Sequence, residues 1–155
     1  MLSFFFYGTL MDSDLQAVVL GGRLPVGVPA VLDGYRRRLV AGQDYPAIVP
    51  AKNTSVSGLL VAGISPAMAA RASVYEGDQY DAVSLAVTTT DGAACDAWTF
   101  LPQAHVRLST HDWSLDAWQQ RHKSRALASA RTFLSTDPAG GLRRAETVWQ
   151  TRLRD

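Results

Sequence analysis

The chain has 155 residues, 47% of them hydrophobic, and a formal charge of +1 at pH 7. It lacks the basic surplus of a general nucleic-acid or acidic-membrane binder, and no apolar run approaches the roughly 20 residues of a membrane helix. A single cysteine, Cys95, excludes an intrachain disulfide and a four-cysteine metal site. We therefore expect one domain over residues 1–155, located in the cytoplasm, without nucleic-acid or membrane partners.

The N-terminal region predicts a buried strand followed by a short helix. Residues 2–7 are rich in aromatic side chains, which favour strands. Asp12 or Ser13 can cap a helix over residues 14–20, because such side chains accept hydrogen bonds from the first helical turn. The two glycines that follow are typical of a helix end.

The next region predicts strands separated by turns. Residues 26–32 and 35–40 are predicted strands on either side of a turn at Asp33-Gly34, a dipeptide that favours hairpins. Residues 45–50 are expected to be extended, since each proline there moves the preceding residue away from the helical region. Residues 56–64 form another predicted strand.

A short helix and a hairpin are predicted beyond this point. Ser65-Pro66 provides a cap and a first turn for a helix that continues to about Val74. Residues 85–90 and 94–101 form a predicted hairpin about Asp91-Gly92.

The last third of the chain is predicted to be helical. Ser114 caps a long predicted helix to about residue 135, with an apolar stripe at helical spacing formed by Leu115, Trp118, His122, Ala126, Ala130 and Phe133. Asp137-Pro138 and Gly140-Gly141 end it, and a short terminal helix follows. Residues 111–155 are therefore a predicted helical C-terminal segment. Strands first and helices last indicate an α+β fold with an antiparallel or mixed sheet.

The segment formed by Tyr7, Gly8, Thr9 and Leu10 closes the first predicted strand. Glycine permits a positive backbone angle, which would leave successive amide N–H groups free to converge on an anion. The helix that follows adds a partial positive charge near its start. Such a turn could bind a carboxylate or a developing oxyanion; the alternative is an ordinary strand-to-helix turn.

Glu76 lies between Tyr75 and Gly77, at the end of the short alanine-rich helix. In a cleft, loss of water would raise its pKa toward the range in which a carboxyl group both accepts and donates protons near neutral pH. The alternative is a solvated surface glutamate.

Other reactive residue types show no such grouping. The three histidines, at positions 105, 111 and 122, lack metal-ligand spacing, so no metal is expected. Cys95 lies in a strand pattern and is interpreted as a small core residue. The basic run at residues 36–38 is interpreted as a solvated strand edge, with the alternative that one arginine binds a substrate carboxylate.

Four segments taken together narrow the interpretation. In chain order they are Phe5 to Leu10, Tyr45 to Pro50, Val56 to Leu60 and Val74 to Tyr80. Their sequences and order resemble the gamma-glutamylcyclotransferase-like superfamily, in particular its branch of gamma-glutamylamine cyclotransferase-like and plant avirulence-induced-type proteins. The resemblance covers about the first hundred residues.

This resemblance implies a small, twisted, barrel-like mixed sheet with flanking helices, and a cofactor-free reaction. In that reaction the free amine of a small γ-glutamyl compound attacks its own side-chain carbonyl and releases 5-oxoproline and an amine or amino acid. The motif match implies that Glu76 is the acid/base group and that Tyr80 lines the same pocket. The γ-glutamyl part would be bound by Tyr7, Gly8, Thr9 and Leu10.

Some positions depart from the family pattern. Family members often carry Leu-Asp where this chain has Ala72-Ser73, and Arg where it has Ala82. Two alternatives to catalysis stay open: a non-catalytic domain that binds a small carboxylate, and an interaction module that uses the helical C-terminal segment. A monomer or a weak homo-oligomer is expected.

Overall fold

Within residues 1–137 and 140–154, which a computed structural model describes, five strands and five α-helices form the fold. The strands are β1 (Leu2–Phe6), β2 (Val28–Leu39), β3 (Pro46–Ile64), β4 (Tyr80–Thr89) and β5 (Ala94–Pro102). The helices are α1 (Ser13–Leu20), α2 (Pro66–Glu76), α3 (Leu115–Arg121), α4 (Lys123–Leu134) and α5 (Gly141–Arg154). One-turn 3₁₀ helices at Thr9–Met11 and Gly77–Gln79 follow β1 and α2.

The strands close into a barrel in the order β1-β3-β2-β4-β5. Neighbouring strands are antiparallel, except that β1 and β5 run parallel where the barrel closes. The predicted α+β fold with a small, barrel-like mixed sheet is therefore confirmed. No helix in the part of the chain described here is both long and apolar enough to cross a membrane.

Alternation along β1 places its side chains in two separate cores. Phe5 belongs to a cluster of sheet residues with Ile48 and Val87, each at most 1% exposed. Phe4 and Phe6 belong to a larger cluster that also contains buried residues of α1, α2 and α5. One short aromatic strand thus joins the sheet to the helices that cover it.

The predicted hairpin at Asp33-Gly34 is wrong, because β2 continues through it. Asp33 pairs with Ser55, whereas Tyr35 pairs with Pro50, so β3 contains extra residues opposite Gly34. Gly34 has φ 83°, and this positive angle forms part of a bulge in the strand. The chain does not reverse there. The predicted strands before and after Asp33-Gly34 therefore form one long strand, β2. The extended segment at residues 45–50 and the predicted strand at residues 56–64 likewise belong to one long strand, β3.

The single long helix predicted from Ser114 is also two helices. Ser114 caps α3 as expected, accepting a hydrogen bond from the amide of Ala117 at 3.2 Å. The chain then leaves helical geometry at His122, with φ −128°. This break shifts the buried face of α4, so that Leu134 is 6% exposed and Phe133 is 50% exposed.

Other predicted boundaries agree with the structure. Asp12 caps α1, Gly21 ends it with φ 79°, and Ser65 caps α2. The predicted hairpin of β4 and β5 is confirmed, although β4 begins five residues before the predicted residue 85. The predicted break at Asp137-Pro138 falls partly on Pro138, which lies outside the described residues.

Gly58 tests the packing of β1 against β3. A Cβ atom at Gly58 would contact the carbonyl oxygen of Phe6 and lie 2.7 Å from the ring of Phe5. Because both belong to a buried strand, Gly58→Ala should lower the free energy of unfolding by about 1–3 kcal/mol, measured by urea denaturation.

Gly22→Ala is the matched control for that substitution. Its new methyl group would meet Met68 at 3.7 Å, an ordinary contact, so its effect should stay within about 0.5 kcal/mol. Equal unfolding midpoints for the two variants would contradict the close approach of β1 and β3.

Candidate functional site

A cavity of about 240 Å³ lies between the end of β1 and the end of α2. Every residue that the sequence predicted for the site lines this cavity, namely Tyr7, Gly8, Thr9, Leu10, Glu76 and Tyr80. Tyr45, Pro46, Tyr75 and Phe100 complete most of its wall. The structure thus brings together two segments that are almost seventy residues apart in the chain, while their roles stay predictions.

The turn after β1 differs from the expected geometry at Gly8. Its φ is −126°, so a positive backbone angle is not the reason for glycine here. Instead, a Cβ atom at Gly8 would lie 3.1 Å from Cγ of Pro46. The close approach of Pro46 on β3 therefore favours a residue without a side chain at this point of the wall, because a Cβ atom would push against its ring.

The turn leaves backbone donors without partners. In the part of the chain that the structure describes, the amide N–H groups of Gly8, Thr9 and Leu10 form no hydrogen bond. The carbonyl oxygens of Gly8 and Thr9 accept from the amides of Met11 and Asp12, both at 3.0 Å. Successive free N–H groups at a helical turn can bind an anion or a developing oxyanion.

Asp12 fixes the far end of this turn. Its side chain is 2% exposed and accepts a hydrogen bond from the amide of Leu15 at 2.9 Å. It also accepts from Nε2 of Gln119 at 2.9 Å and pairs with Nζ of Lys123 at 2.9 Å. The turn is therefore anchored to α1, α3 and α4, which limits its freedom to move.

Glu76 is the last residue of α2, and its carboxyl group borders the cavity. Burial raises the pKa of this carboxyl group from 4.5 to about 7. Among the described residues, the Glu76 carboxyl group forms no hydrogen bond or ion pair. The C-terminal end of a helix carries a partial negative charge, which also disfavours an ionised carboxylate.

Tyrosine side chains supply much of the remaining wall, and most of their hydroxyl groups are already bonded. The Tyr7 hydroxyl donates to the carbonyl oxygen of Phe100 at 2.6 Å, and the Tyr80 hydroxyl donates to that of Pro46 at 3.1 Å. Burial, with a smaller contribution from the nearby Glu76, raises the pKa of both phenols. These phenols are therefore neutral at physiological pH and shape the cavity without supplying charge.

Tyr45 and Tyr75 are wall residues that the sequence analysis did not assign to the site. The Tyr45 hydroxyl donates to Oε1 of Gln79 at 3.0 Å, and burial raises the pKa of Tyr75 to about 12. Both lie within the quoted motifs, beside Pro46 and Glu76. That position was the available signal, but it does not specify which way either side chain points.

The arginine run does not reach the cavity. Arg37 donates to the carbonyl oxygens of Tyr7 at 2.9 Å and Ser57 at 3.0 Å, and its guanidinium lies 5.6 Å from the ring centre of Trp113. Arg38 pairs with Asp112 at 2.6 Å. None of the described residues lining the cavity is Arg, Lys or His. Arg37 thus holds the backbone at the start of the turn, outside the cavity.

The remaining reactive side chains also lie away from this site. Neither Cys95 nor any of the histidines lines the cavity. Residues 1–137 and 140–154 contain no group of three or more His, Cys, Asp or Glu side chains that could hold a metal ion. The lack of a metal or cofactor in the reaction stays an expectation from the sequence.

Glu76 gives the folding equilibrium a defined pH dependence. The folded protein keeps a proton on this group up to about pH 7, whereas in the unfolded chain the group ionises near 4.5. Stability is therefore unaffected by Glu76 at lower pH and falls as pH rises through this interval. Glu76→Gln removes the penalty, so its urea midpoint relative to wild type should be higher at about pH 8 than at about pH 4.

Asp78→Asn is the control for that comparison, because it removes an exposed negative charge two residues away. A difference between Glu76→Gln and wild type that does not change with pH would contradict the burial of the Glu76 carboxyl group.

Comparison with known proteins shows the family of this chain. The family model described as gamma-glutamyl cyclotransferase, AIG2-like, matches residues 4–118. AIG2-like protein D of Arabidopsis thaliana is 30% identical over 86% of this chain and 89% of its own length. Protein AIG2 C of the same plant is 29% identical over 84% of this chain and 79% of its own length.

Solved structures agree with this assignment. The solution structure of an Arabidopsis thaliana protein that is 26% identical has a TM-score of 0.62 and covers 90% of this chain and 86% of its own. A gamma-glutamyl cyclotransferase with 14% identity has a TM-score of 0.52, covers 70% and 68% of the two chains, and shows likeness of fold alone. Because the family model matches residues 4–118, most of the chain, this chain belongs to the gamma-glutamyl cyclotransferase, AIG2-like family.

Proposed function

We propose that this protein converts a small γ-glutamyl compound into 5-oxoproline and a free amine or amino acid. The observation that carries the proposal is the Glu76 carboxyl group, which is half-buried, lacks a side-chain partner among the described residues and borders a cavity shared with three unpaired backbone amides. Family membership supports a cyclotransferase-type reaction at a coarse level. The names of the AIG2-like relatives do not state an activity.

The reaction needs one proton to be moved between two nitrogen atoms. The α-amine of the substrate attacks the side-chain carbonyl carbon, and a new C–N bond forms. The attacking nitrogen gives a proton to the Glu76 carboxylate, which passes it to the leaving nitrogen as the original C–N bond breaks. No water is consumed, and Glu76 returns to its starting state.

A pKa of about 7 suits both halves of this transfer. A carboxyl group that is partly ionised near neutral pH can accept the first proton and donate it again, which typically accelerates a reaction about 10²–10⁴-fold. The raised pKa results from burial, so the same loss of water that costs stability would make the carboxylate a stronger base and keep the group partly protonated near neutral pH.

The amides of Gly8, Thr9 and Leu10 would bind the oxygen that becomes negatively charged during attack. Fixed N–H donors stabilise a developing oxyanion, and removal of one donor typically costs about 10²–10³-fold in rate. The cavity lining described here contains no cation, so backbone donors are also the available ligands for the substrate carboxylate.

The size of the cavity fits one part of such a substrate. At about 240 Å³ it is smaller than the roughly 300–1,000 Å³ of sites for drug-sized ligands. We propose that the γ-glutamyl part fills it and that the leaving group occupies its opening. Holding the substrate in a folded pose makes ring closure efficient, because the reacting atoms already belong to one molecule.

A turnover assay with γ-glutamyl amines and γ-glutamyl dipeptides tests the proposal. Wild type should release 5-oxoproline from at least one compound, and Glu76→Gln should lower kcat about 10²–10⁴-fold while KM changes little. Asp78→Asn removes a nearby exposed carboxylate and should retain activity.

The same assay separates catalysis from recognition alone. Saturable binding of the compounds without any product would contradict the reaction and would favour a non-catalytic domain that binds small carboxylates. Release of 5-oxoproline by Glu76→Gln at the same rate as by wild type would contradict the acid/base role of Glu76.

A further inference from the structure

The C-terminal helix α5 packs against α2, the helix that ends at Glu76. The family match ends at residue 118, so α5 lies outside the matched residues. Its residue Trp149 is only 1% exposed. A buried tryptophan beside the helix that presents the carboxyl group can influence the position of that group.

Trp149 connects α2 to the sheet. Its indole N–H donates a hydrogen bond to Oγ of Ser73 on α2 at 2.8 Å. Its ring centre lies 5.1 Å from that of Phe4 on β1 and 5.1 Å from that of Trp98 on β5. The side chain therefore ties one turn of α2 to two strands of the barrel.

Ser73 lies one helical turn before Glu76, on the same side of α2. Its carbonyl oxygen accepts the amide N–H of Gly77, the residue that follows Glu76. Gly77 has φ 73° and ends the helix. The residue bonded to Trp149 is thus also bonded across Glu76, so displacement of Ser73 would move the backbone on both sides of the carboxyl group.

The contact with Phe4 reaches the cavity by a second route. The ring of Phe4 lies 5.8 Å from that of Phe6 and 5.6 Å from that of Phe100. Phe6 and Phe100 both line the cavity. Trp149 therefore supports the cavity wall and the end of α2 at once.

We propose that Trp149 and Ser73 are positioning residues that hold the Glu76 carboxyl group in the cavity. The activity readout of this inference rests on the proposed function, whereas the position of the carboxyl group can be measured without turnover.

The groups around Glu76 decide what a titration of it reports. Tyr75 precedes it on α2, and the other phenols that act on it are Tyr7 after β1, Tyr45 before β3 and Tyr80 at the start of β4. Burial raises the pKa of each of these phenols, so a signal that changes near pH 7 belongs to the carboxyl group.

The test uses Trp149→Phe and Ser73→Ala, which each remove the same hydrogen bond. Both should lower kcat about 10–10²-fold with little change in KM, because a small displacement of a catalytic group has effects of this size. The double variant should lose no more than either single variant if the two residues act through one bond. Ser73→Thr keeps the hydroxyl group and should retain activity.

Trp118→Phe is the control for the loss of a buried indole. Trp118 is 2% exposed, and its indole forms no hydrogen bond with any described residue. The melting temperature of Trp118→Phe should fall to about the same extent as that of Trp149→Phe, while its kcat stays at the wild-type value. Trp149→Phe and Ser73→Ala would overturn the inference if they lowered stability in the same way and kept the wild-type kcat and KM.

A carbon-13 NMR titration gives the second readout. The chain has two glutamates, Glu76 and Glu146, so glutamate labelling gives two side-chain carboxyl signals, and Glu76→Gln assigns them. In Trp149→Phe and Ser73→Ala the Glu76 signal should titrate at lower pH than in wild type, toward ordinary carboxyl values, because water gains access. An unchanged titration would overturn the inference.

The two proposals fail in different ways. If wild type releases no 5-oxoproline from any compound, the proposed function fails, and the NMR titration still decides whether Trp149 positions the carboxyl group. If Glu76→Gln abolishes turnover but the Trp149 and Ser73 variants behave as wild type in both readouts, only the positioning inference is overturned.

Discussion

The site depends on one unfavourable arrangement: a partly buried carboxyl group at the end of a helix, with no cation among the described residues that line its cavity. Burial raises the pKa of Glu76 to about 7. A carboxylate paired with arginine would have a lowered pKa and could not readily return a proton at neutral pH. Arg37 and Arg38 are bonded elsewhere, and Arg36 does not line the cavity. The chemistry of the cavity is therefore left to one titrating carboxyl group and the backbone.

Local structure explains how the fold brings the end of β1 and the end of α2 to the same cavity. β1 ends at the point where Gly8 lies against Pro46, and α2 ends where Gly77 takes a left-handed angle. The end of β1 and the end of α2 therefore border the same cavity. Asp12 holds the turn after β1 against three helices. The larger aromatic core that joins β1 to α2 and α5 buries apolar surface, and the free energy gained there offsets the cost of removing water from the Glu76 carboxyl group.

Features determined by neighbouring residues were predictable from the sequence. The caps at Asp12, Ser65 and Ser114 and the end of α1 at Gly21 follow from side chains that act within one turn. The convergence of Tyr7–Leu10 with Glu76 and Tyr80 followed from the order of the motifs and the family resemblance, since spacing along the chain does not specify it.

Features determined by distant partners were not predictable. Asp33-Gly34 has the sequence of a hairpin turn, yet β3 pairs with β2 on both sides of it. This pairing makes a bulge at Gly34 more favourable than a reversal of the chain. His122 breaks the C-terminal helix although its neighbours continue the apolar period. Tyr45 faces the cavity and Trp149 reaches Ser73 only because strands and helices far apart in the chain pack together.

The most direct measurement is a structure of the protein with 5-oxoproline bound. The account predicts that the lactam ring lies in the cavity, with its nitrogen within hydrogen-bond distance of the Glu76 carboxyl group and an oxygen facing the amides of Gly8, Thr9 and Leu10. A product bound elsewhere, or a Glu76 side chain that points away from the lactam nitrogen, would contradict it.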